Sequence, residues 1–235
     1  MKLITTESSG EFAQATASIV MTSVREKPDL SITLPTGSTP VGLYESLRRA
    51  RREGDFSLDH ATVFMLDEYL DLPSHPEGSF VEFLRRHLGE VIFNGSTTVT
   101  TINPTDDPRD YDLALDAVGG LDLAIIGVGR NGHVGFNEPG DDVNARTHVV
   151  TLFEDTIAAN FADVAAHAHP TRAITIGLAD LRNARSILML VAGEKKHDVA
   201  DLLAAGIVDA RIPATQLLEH DDLTIVMSGE LLRGR

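Results

Sequence analysis

What most constrains the fold of this chain is a repeated alternation of short apolar segments with segments of helical period. Lys2–Thr5, Leu30–Leu34, Thr62–Leu66, Leu121–Ile126, Ala173–Ile176, Ile187–Val191 and Leu223–Met227 read as strands. Gly10–Arg25, Val41–Arg52, Phe80–Val91, Asp110–Val118 and Gly193–Ala205 read as helices between them, and Phe80, Phe83, Leu84 and Leu88 share one helical face. Leu121–Ile126 is bounded by Gly119-Gly120 and Gly127, as suits a buried parallel strand. Strand–helix alternation of this kind predicts an α/β fold: an open, mostly parallel, doubly wound (Rossmann-like) sheet with helices on both faces. The 235 residues fit one domain spanning 1–235. The Pro104–Pro108 stretch reads as a loop too short to act as a linker between domains.

Composition removes several function classes. The chain has no cysteine, which excludes disulfides, thiolate nucleophiles and Cys-type zinc sites. Its net charge of −15 argues against a nucleic-acid partner and against a DNA-binding region. No apolar run approaches the roughly 18–20 residues that span a membrane, and Met1–Thr6 lacks the apolar stretch of a secretory signal. A cytoplasmic protein without a membrane partner is therefore expected. An anionic ligand would be held by a few local cations and by backbone N–H groups at helix N-termini.

In open α/β sheets ligands bind at the carboxyl ends of the strands, and three strand ends carry more polar residues than a turn needs. Leu30–Leu34 runs into Pro35-Thr36-Gly37-Ser38-Thr39-Pro40, where Thr39 suits a helix N-cap and Pro40 the first helical position. The N–H groups and hydroxyls there could surround a phosphate, although an ordinary capped turn has the same composition. Thr62–Leu66 ends in Asp67-Glu68-Tyr69. A carboxylate at a desolvated strand end can have its pKa raised into the range of a general base, while two acids capping the next segment is the plainer reading. The third loop runs from Gly127 to Gly140 and contains Asn131, His133 and Glu138. Its first six residues fit G-x-G-x-x-G, but Asn137-Glu138-Pro139-Gly140 leaves no room for the helix that dinucleotide binding requires. A histidine with a carboxylate nearby is suited to proton transfer near neutrality. One histidine with two acids, His133 with Glu138 and Asp67, is not a recognised metal-ligand spacing.

Read together, these segments resemble the glucosamine-6-phosphate deaminase family. The resemblance rests on Leu34-Pro35-Thr36-Gly37-Ser38-Thr39-Pro40-Val41-Gly42-Leu43-Tyr44 as a phosphate loop. It rests also on Leu66-Asp67-Glu68-Tyr69 followed by His75-Pro76-Glu77-Gly78-Ser79-Phe80, and on Gly127–Gly140, which is similar to the family's catalytic loop. Ala173–Gly177 and Gly193-Glu194-Lys195-Lys196 match as well. The resemblance implies that Asp67 moves the proton at C2 of an open-chain amino-sugar phosphate. It implies that His133 opens the ring, with Glu138 as its partner and Asn131 beside them, and that Gly37, Ser38, Thr39 and Lys196 hold the 6-phosphate. It implies no metal and no cofactor, and it leaves subunit number open, since the family includes monomers and hexamers.

The chain departs from the family pattern in three places. Asn131 stands where many members have Asp. Ala162 stands where the family places a phosphate-binding arginine, and Arg172 is the nearest sequence candidate to stand in for it. His148 and Val150 replace basic residues that activated members use for an allosteric phosphate, so unactivated, hyperbolic kinetics are expected. The nearest rival within the fold is a 6-phosphogluconolactonase, which usually has Asp-Glu-Arg where this chain has Asp67-Glu68-Tyr69. A galactosamine 6-phosphate enzyme and a non-catalytic sugar-phosphate sensor are further alternatives.

Overall fold

The structure, a computed structural model, describes residues 1–72, 78–102, 107–152 and 169–233. Its strands are β1 (Lys2–Thr6), β2 (Ser31–Leu34), β3 (Thr62–Met65), β4 (Asp67–Tyr69), β5 (Thr98–Thr100), β6 (Leu123–Gly127), β7 (His148–Thr151), β8 (Arg172–Thr175), β9 (Ser186–Val191) and β10 (Leu223–Ser228). Seven of them form one sheet in the order β1-β10-β9-β6-β2-β3-β5, parallel at every pairing. The other three form a small antiparallel sheet in the order β4-β8-β7. The expected parallel α/β sheet is therefore present. The small sheet was not foreseen, because β4 has three residues and β7 alternates between half-buried and exposed positions, and the three-residue edge strand β5 of the large sheet was missed for the same shortness.

Local chemistry sets the element boundaries. Helix α1 (Ser9–Glu26) starts where the Ser8 hydroxyl accepts from Glu11 N, while the Glu11 carboxylate accepts from Glu7 N. Helix α2 (Val41–Glu53) ends at Gly54, whose φ of 83° lets its N–H close on the carbonyls of Ala50 and Arg51. Gly42 of α2 sits where an added Cβ would lie 3.0 Å from Ala13 Cβ, so the two helices approach closely there. Helix α3 (Phe80–Ile92) is capped by the Ser79 hydroxyl. Helix α4 (Pro108–Ala117) is capped by Asp107 and begins two residues earlier than its apolar pattern indicates. Asp122 lies ahead of β6, where its carboxylate accepts from Ser31 N at 2.8 Å and meets Lys27 Nζ at 3.1 Å. The strand proper starts at Leu123.

The core lies on the central strands. Ile32 and Leu34 of β2, Ala124 to Ile126 of β6 and Ile187 to Val191 of β9 are fully buried. From β2 the chain winds outward through β3 to β5. It then returns to β6 on the other side of β2 and winds through β9 to β10. The winding reverses between β2 and β6, so their carboxyl ends flank a crevice. No helix among the described residues is long and apolar enough to cross a membrane.

Gly177 joins β8 to the short helix Leu178–Arg182 and packs on the preceding loop. A Cβ there would lie 2.1 Å from the Ala145 carbonyl oxygen and 2.2 Å from that of Arg146, both backbone atoms that cannot swing aside. Gly177→Ala is expected to destabilise the protein by about 1–3 kcal/mol, at roughly 2–4 °C per kcal/mol for a chain of this size. Thermal unfolding followed by circular dichroism measures it.

Candidate active site

The crevice is an open cleft of about 1020 Å³. The loop after β2 forms one wall with Pro35, Thr36, Gly37, Ser38 and Thr39, and Lys196 and Asp198 also line the cleft. Gly37 has a φ of 90°, in the region that favours glycine. Tyr44, buried in α2, donates its hydroxyl to the Pro35 carbonyl and ties the loop to the helix. Thr39 is not the N-cap expected of it. Pro40 takes that position, no side chain caps α2, and the Thr39 hydroxyl accepts from Lys196 Nζ at 3.3 Å. The loop thus offers uncapped helix N–H groups beside an ammonium, an arrangement suited to an anion. Burial lowers the pKa of Lys196 from its ordinary value.

The two adjacent acids have separate environments because neighbouring strand residues point to opposite faces. Glu68 accepts from Tyr69 N at 2.9 Å, Phe80 N at 3.0 Å and Val81 N at 2.9 Å, so it holds the N-terminus of α3. Burial raises its pKa and the three N–H groups oppose the rise. Asp67 lines the cleft, yet it is 6% exposed, and its Oδ1 is buried without a hydrogen-bond partner among the described residues. Burial, reinforced by the nearby Glu68 charge, pushes its carboxyl well above the usual range.

The third group is a three-residue relay. The Asn131 amide donates to Glu138 Oε2 at 2.8 Å, and its Oδ1 faces His133 Nδ1 at 2.7 Å. The carboxylate only accepts, so the amide nitrogen must face Glu138 and the amide oxygen must face the ring. Nδ1 then carries the proton and Nε2 is left as the acceptor. Glu138 Oε1 is 3.6 Å from His133 Nδ1, so Asn131 is the closer partner of the ring and Glu138 acts largely through it. Burial lowers the imidazole pKa, Glu138 raises it and Lys196 lowers it, for a net fall. The ring lies over Gly129, where a Cβ would come within 2.1–2.3 Å of three ring atoms.

The cleft therefore brings together Asp67, Asn131, His133, Gly37, Ser38, Thr39 and Lys196, with Glu138 reaching it through Asn131. Sequence reading passed over Arg130, Phe80 and Phe136, which also line it. Arg130 occupies the turn closed by Gly132 N to Gly129 O at 3.1 Å, and its place beside His133 was the available signal. Arg172 is not among the cleft residues; it faces Asp71 at 3.9 Å at the opposite end of β8 from Thr175. Ala162 lies outside the described residues. His148 and Val150 line a separate pocket of about 220 Å³ that touches Glu138 from the other side. Among the described residues no group of three or more His, Asp or Glu side chains is placed to hold a metal ion.

Residues 5–226 match the family described as glucosamine-6-phosphate isomerases/6-phosphogluconolactonase. The chain belongs to this family. It is 36% identical to a glucosamine-6-phosphate deaminase of Thermoanaerobacter sp. (strain X514), over 98% of this chain and 93% of that one. It is 33% identical to one from Clostridium perfringens (strain 13 / Type A), over 97% and 96%. Among solved structures, a monomeric glucosamine-6-phosphate deaminase superimposes with a TM-score of 0.90 at 32% identity, covering all of both chains. The 6-phosphogluconolactonase of Trypanosoma brucei gives 0.77 at 18% identity, covering 98% and 97%, a likeness of fold alone.

Burial of Asp67 has a sign that can be tested. Its folded pKa is raised, so the folded state resists ionisation while the unfolded chain ionises near 3.9. Stability is unaffected below that value and is lost as pH rises from it to the folded pKa. Asp67→Asn, which never ionises, is expected to unfold at a higher temperature than the parent at pH 8. The difference is expected to shrink toward zero below about pH 4. Thermal melts of both proteins across that range measure it.

Proposed function

We propose that this chain is a glucosamine-6-phosphate deaminase, converting glucosamine 6-phosphate and water to fructose 6-phosphate and ammonia. The observation that carries the reading is one cleft holding a buried carboxyl poised to take a proton, an imidazole with a free Nε2, and an anion cradle. In this reading the cradle of Gly37, Ser38 and Thr39, with Lys196, holds the phosphate. His133 Nε2 takes the proton of the anomeric hydroxyl and returns one to the ring oxygen, which opens the sugar. Glu138, through Asn131, stabilises the imidazolium formed on the way. Asp67 then takes the C2 proton and returns it at C1, while a proton passes from the C2 nitrogen to O1, which leaves an imine at C2 beside a hydroxymethyl C1. Water adds at C2, its two protons pass to the nitrogen, ammonia leaves, and the ketose phosphate remains. No step calls on a cofactor.

Purified protein with chelator present is expected to release ammonia and fructose 6-phosphate in equal amounts from glucosamine 6-phosphate. Asp67→Asn is expected to lose C2 proton exchange with solvent and about 10²–10⁴-fold in rate. Hydrolysis of 6-phosphogluconolactone with no ammonia from the amino sugar would overturn the assignment, and faster turnover of galactosamine 6-phosphate would change the epimer.

Arg130 is the cleft cation best placed to add to Lys196, since it follows β6 between the loops after β2 and β9. A charge-assisted hydrogen bond contributes roughly 1.5–3 kcal/mol, so Arg130→Ala is expected to raise KM about ten- to a hundredfold with kcat little changed. Arg172→Ala is expected to leave KM unchanged. Steady-state kinetics at fixed ionic strength separate the two.

A further inference from the structure

The proposed proton transfers need Asp67 and His133 at a fixed separation, yet the two belong to different stretches of the backbone. Asp67 begins β4, and His133 sits in the loop after β6. Their mutual position is settled where that loop rests on the small sheet.

Thr175 is at that point. It is fully buried and lies directly opposite Asp67 on one side and His148 on the other. Directly opposed residues of antiparallel strands share a face, so the hydroxyl stands beside the Asp67 carboxylate. Its Oγ1 accepts from Phe136 N at 3.2 Å and donates to the Ile176 carbonyl at 3.3 Å. Phe136 lies between His133 and Glu138, within the relay segment. Gly135 fits into the same corner: a Cβ there would meet Thr175 Oγ1 at 2.7 Å and Asp67 Oδ2 at 3.4 Å. The next residue on the strand completes the junction. Ile176 N donates to Leu66 O at 2.9 Å, and Ile176 O accepts from Asn137 Nδ2 at 2.9 Å. The end of β8 is thus bonded to the segment bearing Asp67 and to the loop bearing His133.

We propose that Thr175 is a positioning residue for this reaction, its hydroxyl pinning the Asn131–His133–Glu138 loop against the strand that presents Asp67. The proposal rests on the deaminase reading for its chemistry. Among the described residues the Thr175 hydroxyl bonds to backbone groups and to no cradle or relay side chain, so its removal acts on proton transfer more than on binding of the phosphate.

The test compares Thr175→Val, which keeps the shape and loses the hydroxyl, with Thr175→Ser, which keeps the hydroxyl. Three quantities are read: kcat and KM, C2 proton exchange, and hydrogen-exchange protection of the Phe136 amide. A misplacement of about 1 Å costs roughly 10²-fold, so Thr175→Val is expected to lower kcat and C2 exchange by about ten- to a hundredfold. KM should stay within about twofold, and Phe136 should lose protection. Thr175→Ser is expected to restore kcat and protection together. Should the Val variant fail to fold, Thr175→Ala carries the same comparison. Normal kcat in the hydroxyl-free variant overturns the proposal, whatever happens to thermal stability, because the residue is then only structural. Loss of kcat in Thr175→Ser as deep as in Thr175→Val also overturns it. If the parent protein releases no ammonia, the deaminase reading falls by itself. The Phe136 amide still decides the pin: protection unchanged in the Val variant overturns it, and protection lost there and regained in Ser supports it.

Discussion

The structure turns on a change of sheet at Leu66. Strand β3 belongs to the parallel sheet and ends at Met65, and two residues later the chain is paired antiparallel to β8 in the small sheet. The bond from Ile176 N to Leu66 O marks the crossing. Without it, Asp67 would open an ordinary loop and its carboxylate would stay in water. With it, the carboxylate is enclosed between two sheets at the mouth of the crevice, where ionisation is costly and proton affinity rises.

The same crossing explains how adjacent acids diverge. Strand geometry turns Asp67 and Glu68 to opposite sides. Asp67 is buried against Gly135 with an Oδ1 that has no hydrogen-bond partner among the described residues, and Glu68 meets three N–H groups, two of them at the start of α3. Two adjacent carboxyl groups thus become a buried acid lining the cleft on one side and a structural anchor on the other. The Tyr69, Phe80 and Phe136 rings pack together beside this anchor, with centroids 4.7 to 5.9 Å apart, and Phe80 and Phe136 line the cleft.

Most of the parallel sheet could be read from the sequence because its central strands are buried on both faces and so largely apolar. The small sheet could not. His148-Val149-Val150-Thr151 and Asp67-Glu68-Tyr69 are short, and their pairing partners lie far along the chain, at residues 172–175. The polar strand ends gave the cleft's principal side chains, since polar residues after apolar strands are visible locally. Their connections were less visible. Thr39 has the composition of an N-cap but binds Lys196, a residue brought near only by the order of β2, β6 and β9. Arg172 stands close to a site strand in sequence but at its far end in space, whereas Arg130 was overlooked within a loop valued for its histidine.

Gly129, Gly132 and Gly135 recur every third residue, and the first two belong to the G-x-G-x-x-G match that begins at Gly127, yet each of the three answers to a different neighbour. A Cβ at the first would strike the imidazole, at the second Ile212 Cγ2 at 2.3 Å, and at the third the Thr175 hydroxyl. The spacing is therefore a coincidence of three independent packing constraints. For the evolution of the cleft this divides the loop into closed and open positions. The three glycines resist a side chain for reasons of packing, whereas Arg130 between them is exposed, and any limit on it comes from the ligand rather than from the fold. Change at Arg130 would therefore be felt in binding, and change at one of the glycines in the shape of the loop.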